Sequence, residues 1–208
     1  TLFGLGMASA VVRTYQQFDE EPAKRSVVSS SLLGSITIMG IVTVTCLLLS
    51  PQLSELIFST DANTGYFRLT FIAMFFTSGI ELPMIFLRIK LRSGNFVVIS
   101  LLKLTLQLTL NIWFLVGLGL GVESILYSNV ISAAVFAIYL TYSTLKQVGI
   151  KFDLAKYTEM LKFGMPLIVS DISSFMLTYS DRYFLNYMTD LATVGVYSLA
   201  YTFGMILS

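Results

Sequence analysis

The chain has 208 residues, 55% hydrophobic and 12% charged, about half the charged share of an ordinary soluble domain, so a soluble globular domain is excluded. A net charge of +1 leaves no bulk basic footprint for nucleic acid. The chain has no histidine and one cysteine, which excludes an imidazole base, a histidine metal ligand, an internal disulfide, and a Cys–His or Ser–His catalytic pair.

Three stretches carry no charge at all: Ser26 to Ser54, Ser124 to Leu145 and Leu191 to Ser208. A bilayer core takes about 20 apolar residues per helix, so the pattern predicts an all-α, polytopic membrane bundle. In chain order, residues 1 to about 17 close a first helix, with Arg13 and Tyr15 near its end. Phe18 to Lys24 reads as a polar turn. A second helix runs from about 25 to 50, with Cys46 packed inside an apolar run. The segment PQLSELIF after it reads as a short interfacial helix, with Leu53, Leu56, Ile57 and Phe58 on one side. Asp61–Gly65 is a loop. A third helix covers about 66–88 and carries Glu81 and Pro83. The loop RIKLRSGN follows, then a fourth helix over about 95–117 with Lys103. Gly117, Gly119 and Gly121 make a tight turn, and a fifth helix covers about 122–145. The polar stretch 146–160 reads as a linker. A sixth helix runs from about 162 to 187, and a last one starts near Leu191. The chain begins within a helix and stops within an apolar run, so it reads as an internal fragment of a longer protein. A secretory signal is not expected in such a fragment.

Orientation is written in the loops. Those near 18–25, 88–95 and 146–162 hold Lys24, Arg25, Arg88, Lys90, Arg92, Lys146, Lys151, Lys156 and Lys162; those near 51–65, 117–123 and 186–193 hold neither lysine nor arginine. The basic loops are expected in the cytoplasm and the others outside, with Arg68 and Arg182 at outer ends, within reach of head groups. Residues 1–145 are expected to be most of an N-terminal helical lobe, about five membrane helices with the first truncated. Residues 146–160 are then a cytoplasmic inter-lobe linker, and 161–208 the start of a C-terminal lobe, about two helices with the last truncated.

Glu81, Lys103 and Asp171 each lie several turns from a helix end. At about 1.5 Å per residue, Lys103 stands roughly 13 Å from Gly94 and Glu81 about 10 Å from Arg88. Charges at such depth face a bundle interior or a hydrated cavity. Glu81 and Lys103 fall at similar depth on adjacent antiparallel helices. Two readings stand: an ion pair that locks the helices, or cavity charges, Lys103 for a substrate phosphate and Glu81 for a coupling proton or cation. Asp171 could bind a cation, carry a proton or face a basic residue outside the chain. Pro83 removes a backbone N–H and can free a carbonyl at membrane depth, or only improve packing. Asp181 and Arg182 point about 100° apart and are expected to meet separate partners. Arg13 suits a lipid phosphate or a head-group anchor. Asp19, Glu20 and Glu21 form half of an acidic metal motif, and a solvated loop is the simpler reading; no metal or cofactor is expected. Among 16 Phe and 11 Tyr, Tyr179, Tyr183, Tyr187, Tyr197 and Tyr201 cluster at the last hairpin as an interface belt or a sugar-stacking surface.

The stretch Leu161 to Gly204 resembles the polysaccharide-biosynthesis transporters, the oligosaccharide and O-antigen flippases of the multidrug/oligosaccharidyl-lipid/polysaccharide exporter superfamily. The resemblance rests on Gly164-Met165-Pro166, on Ser180-Asp181-Arg182-Tyr183 and on Val194-Gly195-Val196-Tyr197-Ser198. The opening LGMASAVVRTYQQFDEEPAKR is similar to that family's second helix and its following loop. The resemblance covers about helix two to helix eight of a two-lobed transporter of twelve to fourteen helices.

It implies a multi-pass protein of the cell (inner or plasma) membrane that flips a polyprenyl-pyrophosphate-linked oligosaccharide from the cytoplasmic to the outer leaflet by alternating access. The polar glycan needs a hydrated, charge-lined path, and arginine and lysine suit the pyrophosphate. A coupling cation or proton is a further candidate partner. The competing readings are a multidrug/cation antiporter, against which Lys103 argues, a membrane-embedded glycosyltransferase, for which no acidic metal motif is present, and a non-transporting scaffold of an assembly complex.

Overall fold

The computed structural model describes residues 2–58, 64–91 and 93–207. Among them there is no strand, and the order is α1 (Leu2–Gln17), α2 (Glu21–Leu48), α3 (Ser50–Phe58), α4 (Thr64–Ile89), α5 (Ser93–Ile112), a π-helical turn (Trp113–Gly117), α6 (Glu123–Val148), α7 (Leu154–Met188) and α8 (Leu191–Leu207). Five of these segments are long and apolar enough to cross a membrane: Glu21–Leu48, Thr64–Ile89, Gly94–Gly117, Glu123–Val148 and Leu154–Leu185.

Helix ends depart from the expected ones where polar residues made a stretch look like a loop. The turn expected over 18–24 is only three residues long, because Pro22 sits in the first turn of α2, where a missing N–H and a preset φ favour helix. Lys90 and Leu91 close α4 in a turn; Arg92 lies outside the described residues, and α5 begins at Ser93. Of the loop expected over Asp61–Gly65, residues 61–63 lie outside the described residues, and Thr64 and Gly65 already belong to α4. The stretch expected as a linker over 146–160 holds the end of α6 and the first two turns of α7. Gly149, at φ 79°, ends α6 and donates to Leu145 O at 2.8 Å. Asp153 starts α7 by accepting from the amides of Ala155 and Lys156. Only 149–153 are non-helical.

The expected short helix after α2 is present as α3, with Pro51 in its first turn. Arg68 donates from Nε to the buried Ser50 hydroxyl at 3.2 Å, tying the start of α4 to the α2–α3 joint. Gly119 and Gly121, at φ 65° and 59°, turn the chain between the π-turn and α6 in a conformation that disfavours any Cβ.

Packing is densest where the basic loops gather. Met7, Ala10 and Val11 of α1, Val27 of α2, Leu82 of α4 and Tyr157 and Met160 of α7 form one buried cluster. Val28, Phe86 and Val148 form another, with Tyr15 against it. Ile80 and Leu87 of α4 meet Ala133, Ala137 and Leu140 of α6, the most extensive helix pairing among the described residues. By contrast α5 shows Val97, Val98, Leu101, Leu102, Leu104 and Leu108 outward, as a lipid-facing helix must.

The run Ser29–Ser31, polar in an otherwise apolar helix, is fully buried. Ser29 accepts from the Lys151 amide at 3.0 Å and Ser30 from the Asp153 amide at 2.8 Å. The non-helical segment is therefore clasped to α2. One turn on, Gly34 lies under the Tyr157 ring, where a Cβ would collide with the ring carbons.

Candidate functional site

Lys103 is the only charged residue of α5, half-buried among lipid-facing leucines. The half-buried Glu81 of α4 acts electrostatically on its ammonium, so the fold brings these two charges into range of one another. A lysine at this depth is expensive without such a partner or water.

A cavity of about 370 Å³ opens between α2, α4 and α6, and neither Glu81 nor Lys103 is among the residues that line it. Its wall is almost wholly apolar, although Ser35, Ser78, Thr141 and Tyr142 are among the residues that line it; the Ser78 hydroxyl donates to the Phe75 carbonyl of its own helix. Pro83 has no N–H to offer the carbonyl four residues back, that of Gly79, and Gly79 lines the cavity. Leu82, next to Glu81 in the chain, lines it too.

Of the other candidates, Arg13 lies near the end of α1 and the Asp181–Arg182 pair near the end of α7, while Asp171 lies at the middle of α7. Arg13 is exposed and stacks its guanidinium on the Phe163 ring, 4.2 Å from the centroid. Asp171 is half-buried on the part of α7 beyond Gly164, where no described side chain is fully buried. The structure brings neither of them to Lys103. Of the acidic trio, Asp19 and Glu20 are exposed and Glu21 stands 4.0 Å from Arg25.

At the hairpin end of α7, Asp181 and Arg182 have separate partners. The Tyr197 hydroxyl donates to Asp181 Oδ2 at 3.2 Å. Arg182 lies over the rings of Tyr179, at 4.7 Å, and Tyr201, at 5.6 Å, with its Nε buried and without a hydrogen-bond partner among the described residues. The tyrosine cluster is thus divided. Tyr179, Tyr197 and Tyr201 hold the Asp-Arg pair, while Tyr183 and Tyr187 are exposed.

All of residues 1–208 match the family described as polysaccharide biosynthesis protein. The chain belongs to that family. No curated protein and no solved structure matches it. In this member of the family the segment Ser180–Tyr183 is a structural junction as well as a charged one, because both of its ionic residues are held by aromatic side chains of α7 and α8. The membrane-spanning helices make it a multi-pass membrane protein. Sequence reasoning overlooked Lys162, Glu159 and Gln17, which join Arg13 around one cleft. Their only sequence signal was a basic residue near the end of each of two helices, 149 positions apart (162 − 13).

Proposed function

We propose that this protein moves a lipid-linked oligosaccharide across the cell membrane, from the cytoplasmic to the outer leaflet, during cell-surface polysaccharide biosynthesis. The observation that carries the reading is the family match along the whole chain, on a bundle whose charges sit at membrane depth. The protein acts as a transporter and makes no covalent change in its substrate.

In this reading Lys103 draws the pyrophosphate linkage toward mid-membrane, and Glu81 holds Lys103 when the substrate is absent. The lysine is charge-compensated in both states, and Glu81, once it gives Lys103 up, takes a proton or cation in its place, since a carboxylate at that depth is costly without a counter-charge. The apolar cavity between α2, α4 and α6 suits a polyprenyl chain. The N-terminal lobe comprises residues 1–145 and the C-terminal lobe begins at 161. Rocking of the lobes alternates access, and the basic loops face the cytoplasm. Asp171 is a candidate for the coupling cation or proton, and Arg182 for the phosphate on the outer side.

The test is leaflet exchange of a fluorescent undecaprenyl-pyrophosphate-linked oligosaccharide in liposomes holding the full-length protein. Exchange by wild type that collapses in Lys103→Gln, with the thermal midpoint retained, is the expected result. Unchanged exchange in the variant makes Lys103 structural. No exchange by wild type, with or without a cation gradient, sinks the flippase reading and favours the antiporter or scaffold.

A further inference from the structure

A second cleft, polar and of about 300 Å³, lies between the last turns of α1 and the start of α7. That volume is at the lower end of the range of about 300–1,000 Å³ typical of ligand sites. Arg13, Thr14 and Gln17 line it from α1, and Glu159, Lys162 and Phe163 from α7. Thr14 is buried, although it is polar.

The chemistry of this wall is that of a donor-rich site. Arginine brings five N–H donors, lysine three, glutamine two and threonine one, and Glu159 is the single anion. Phe163 fixes the plane of the Arg13 guanidinium by stacking on its face, which leaves the N–H edge free to fork onto two oxygens of one ligand. Lys162 adds a compact charge from the opposite wall. A group with several oxygens and at least one negative charge matches this arrangement.

Depth narrows the choice. From Lys162 to Met188, α7 rises roughly 39 Å, close to the full thickness of about 40–45 Å of a bilayer with its head groups. Arg13 stands about 6 Å from the end of α1. Both cations therefore fall at the level of lipid phosphates on the side of the basic loops.

We propose that this cleft binds the phosphate of a lipid head group, held between Arg13 of α1 and Lys162 of α7. If the protein transports a lipid-linked sugar, the cleft is where its pyrophosphate is first captured; that half of the inference rests on the proposed function. The phosphate bridges two helices that belong to different lobes. Its binding therefore favours the state in which α1 and α7 are packed together, by as much as it prefers that state. Glu159 repels the phosphate and keeps the grip weak enough for release.

The experiment is native mass spectrometry of the full-length protein in detergent, titrated separately with undecaprenyl pyrophosphate, phosphatidylglycerol and diacylglycerol. Wild type is compared with Arg13→Gln, Lys162→Gln and Glu159→Gln. All three side chains are exposed, so folding survives, and the thermal midpoint checks it. Arg13→Lys serves as a second variant that keeps the charge and loses the fork.

Loss of about tenfold in affinity for the phosphate lipids in Arg13→Gln and in Lys162→Gln is expected, since each removes a charge-assisted contact. Glu159→Gln is expected to tighten binding, an opposite sign that a merely structural role would not produce. Diacylglycerol binding should not move. Preference for the pyrophosphate lipid supports the capture site. Equal binding of both phosphate lipids keeps the phosphate site and overturns its link to the substrate. Wild-type affinities in all variants overturn the proposal.

The two readings fail separately. Leaflet exchange by wild type with lipid binding unchanged in the variants removes the cleft and leaves the transporter. Binding that depends on Arg13 and Lys162 without any exchange leaves the cleft and removes the transporter.

Discussion

Gly6 and Gly164 cross so closely that a Cβ built on Gly6 would stand 2.8 Å from the Gly164 carbonyl oxygen, and one on Gly164 3.1 Å from the Gly6 oxygen. Small residues at such crossings let helix backbones approach inside a membrane. This is a point where α1 meets α7: Gly164 follows Phe163 directly, and Gly6 lies about two turns before Arg13, the two residues of the cation–ring stack. Gly6→Ala is expected to destabilise the protein by about 1–3 kcal/mol, because the added methyl meets backbone that cannot move aside. Gly164→Ala should cost less, since its contact is looser and alanine regains up to about 1 kcal/mol of helix propensity. Thermal midpoints in detergent check the order; a Gly6→Ala variant as stable as wild type rules out the close crossing.

Ser29 and Ser30 hold the backbone between α6 and α7. Ser30→Ala leaves the Asp153 amide without its partner, at a cost of about 1–3 kcal/mol for a buried donor. The expected sign is faster amide exchange at Lys151 and Asp153 and earlier proteolysis within 149–153, with less change in α4 and α6. Protection unchanged at those two amides would show that the clasp contributes nothing.

Glu81 and Lys103 can be told apart as lock and path by exchanging them. The double substitution Glu81→Lys with Lys103→Glu keeps an attractive pair but moves the cation from α5 to α4. Each single change alone places like charges together and should lower the thermal midpoint, and the double change should recover it, with a coupling of about 0.5–3 kcal/mol. Transport that stays lost in the recovered double variant places Lys103 on the substrate path. Transport that returns with stability makes the pair a lock.

Asp190 opens α8 by accepting hydrogen bonds from the hydroxyl and the amide of Thr193. The Thr193 hydroxyl, and then its amide, hold the Asp190 carboxyl below its ordinary value of 3.8. A carboxyl lowered on folding contributes stability that is complete above the unfolded value and lost as pH falls through the folded one. Relative to its intrinsic rate, the Thr193 amide should therefore stay protected above the ordinary value of 3.8 and lose that protection only as pH falls below it. In Asp190→Asn the acid-dependent step should vanish. An identical pH profile in the variant would show that another group controls this helix start.

The helices that cross the membrane were legible because the cost of unpaired backbone in hydrocarbon acts on each stretch of about 20 residues regardless of its neighbours. The glycines at 119 and 121 were legible as a turn for an equally local reason, since both take positive φ. The loops were read too long. Glutamate, lysine and alanine are good helix formers, so a charged stretch such as 154–160 is helical when a cap like Asp153 starts it. Charge marks where a helix leaves the bilayer, which is not the same place as where it ends.

The candidate site was legible in part. Glu81 and Lys103 stood out because each breaks an apolar run, and their similar depth followed from the rise of a helix. The roles of Ser29 and Ser30 did not follow, because a serine run in a helix has no local mark of what it binds. Lys162 was taken as one of several basic loop residues, and nothing near it in the chain pointed to Arg13.

Composition and the spacing of charge were sufficient for the class of molecule: an all-α, membrane-spanning bundle with its basic loops on one side, and motifs that resemble the family to which the chain belongs. Those properties depend on one segment at a time, through transfer of side chains and backbone from water to lipid. The crossing of Gly6 with Gly164, the clasp of Ser29 and Ser30 on 149–153, the Tyr157 ring over Gly34 and the cleft of Arg13 and Lys162 were decided by the tertiary structure alone. Each joins residues more than a hundred positions apart, and close packing selects such partners through shape and donor geometry that no local pattern encodes.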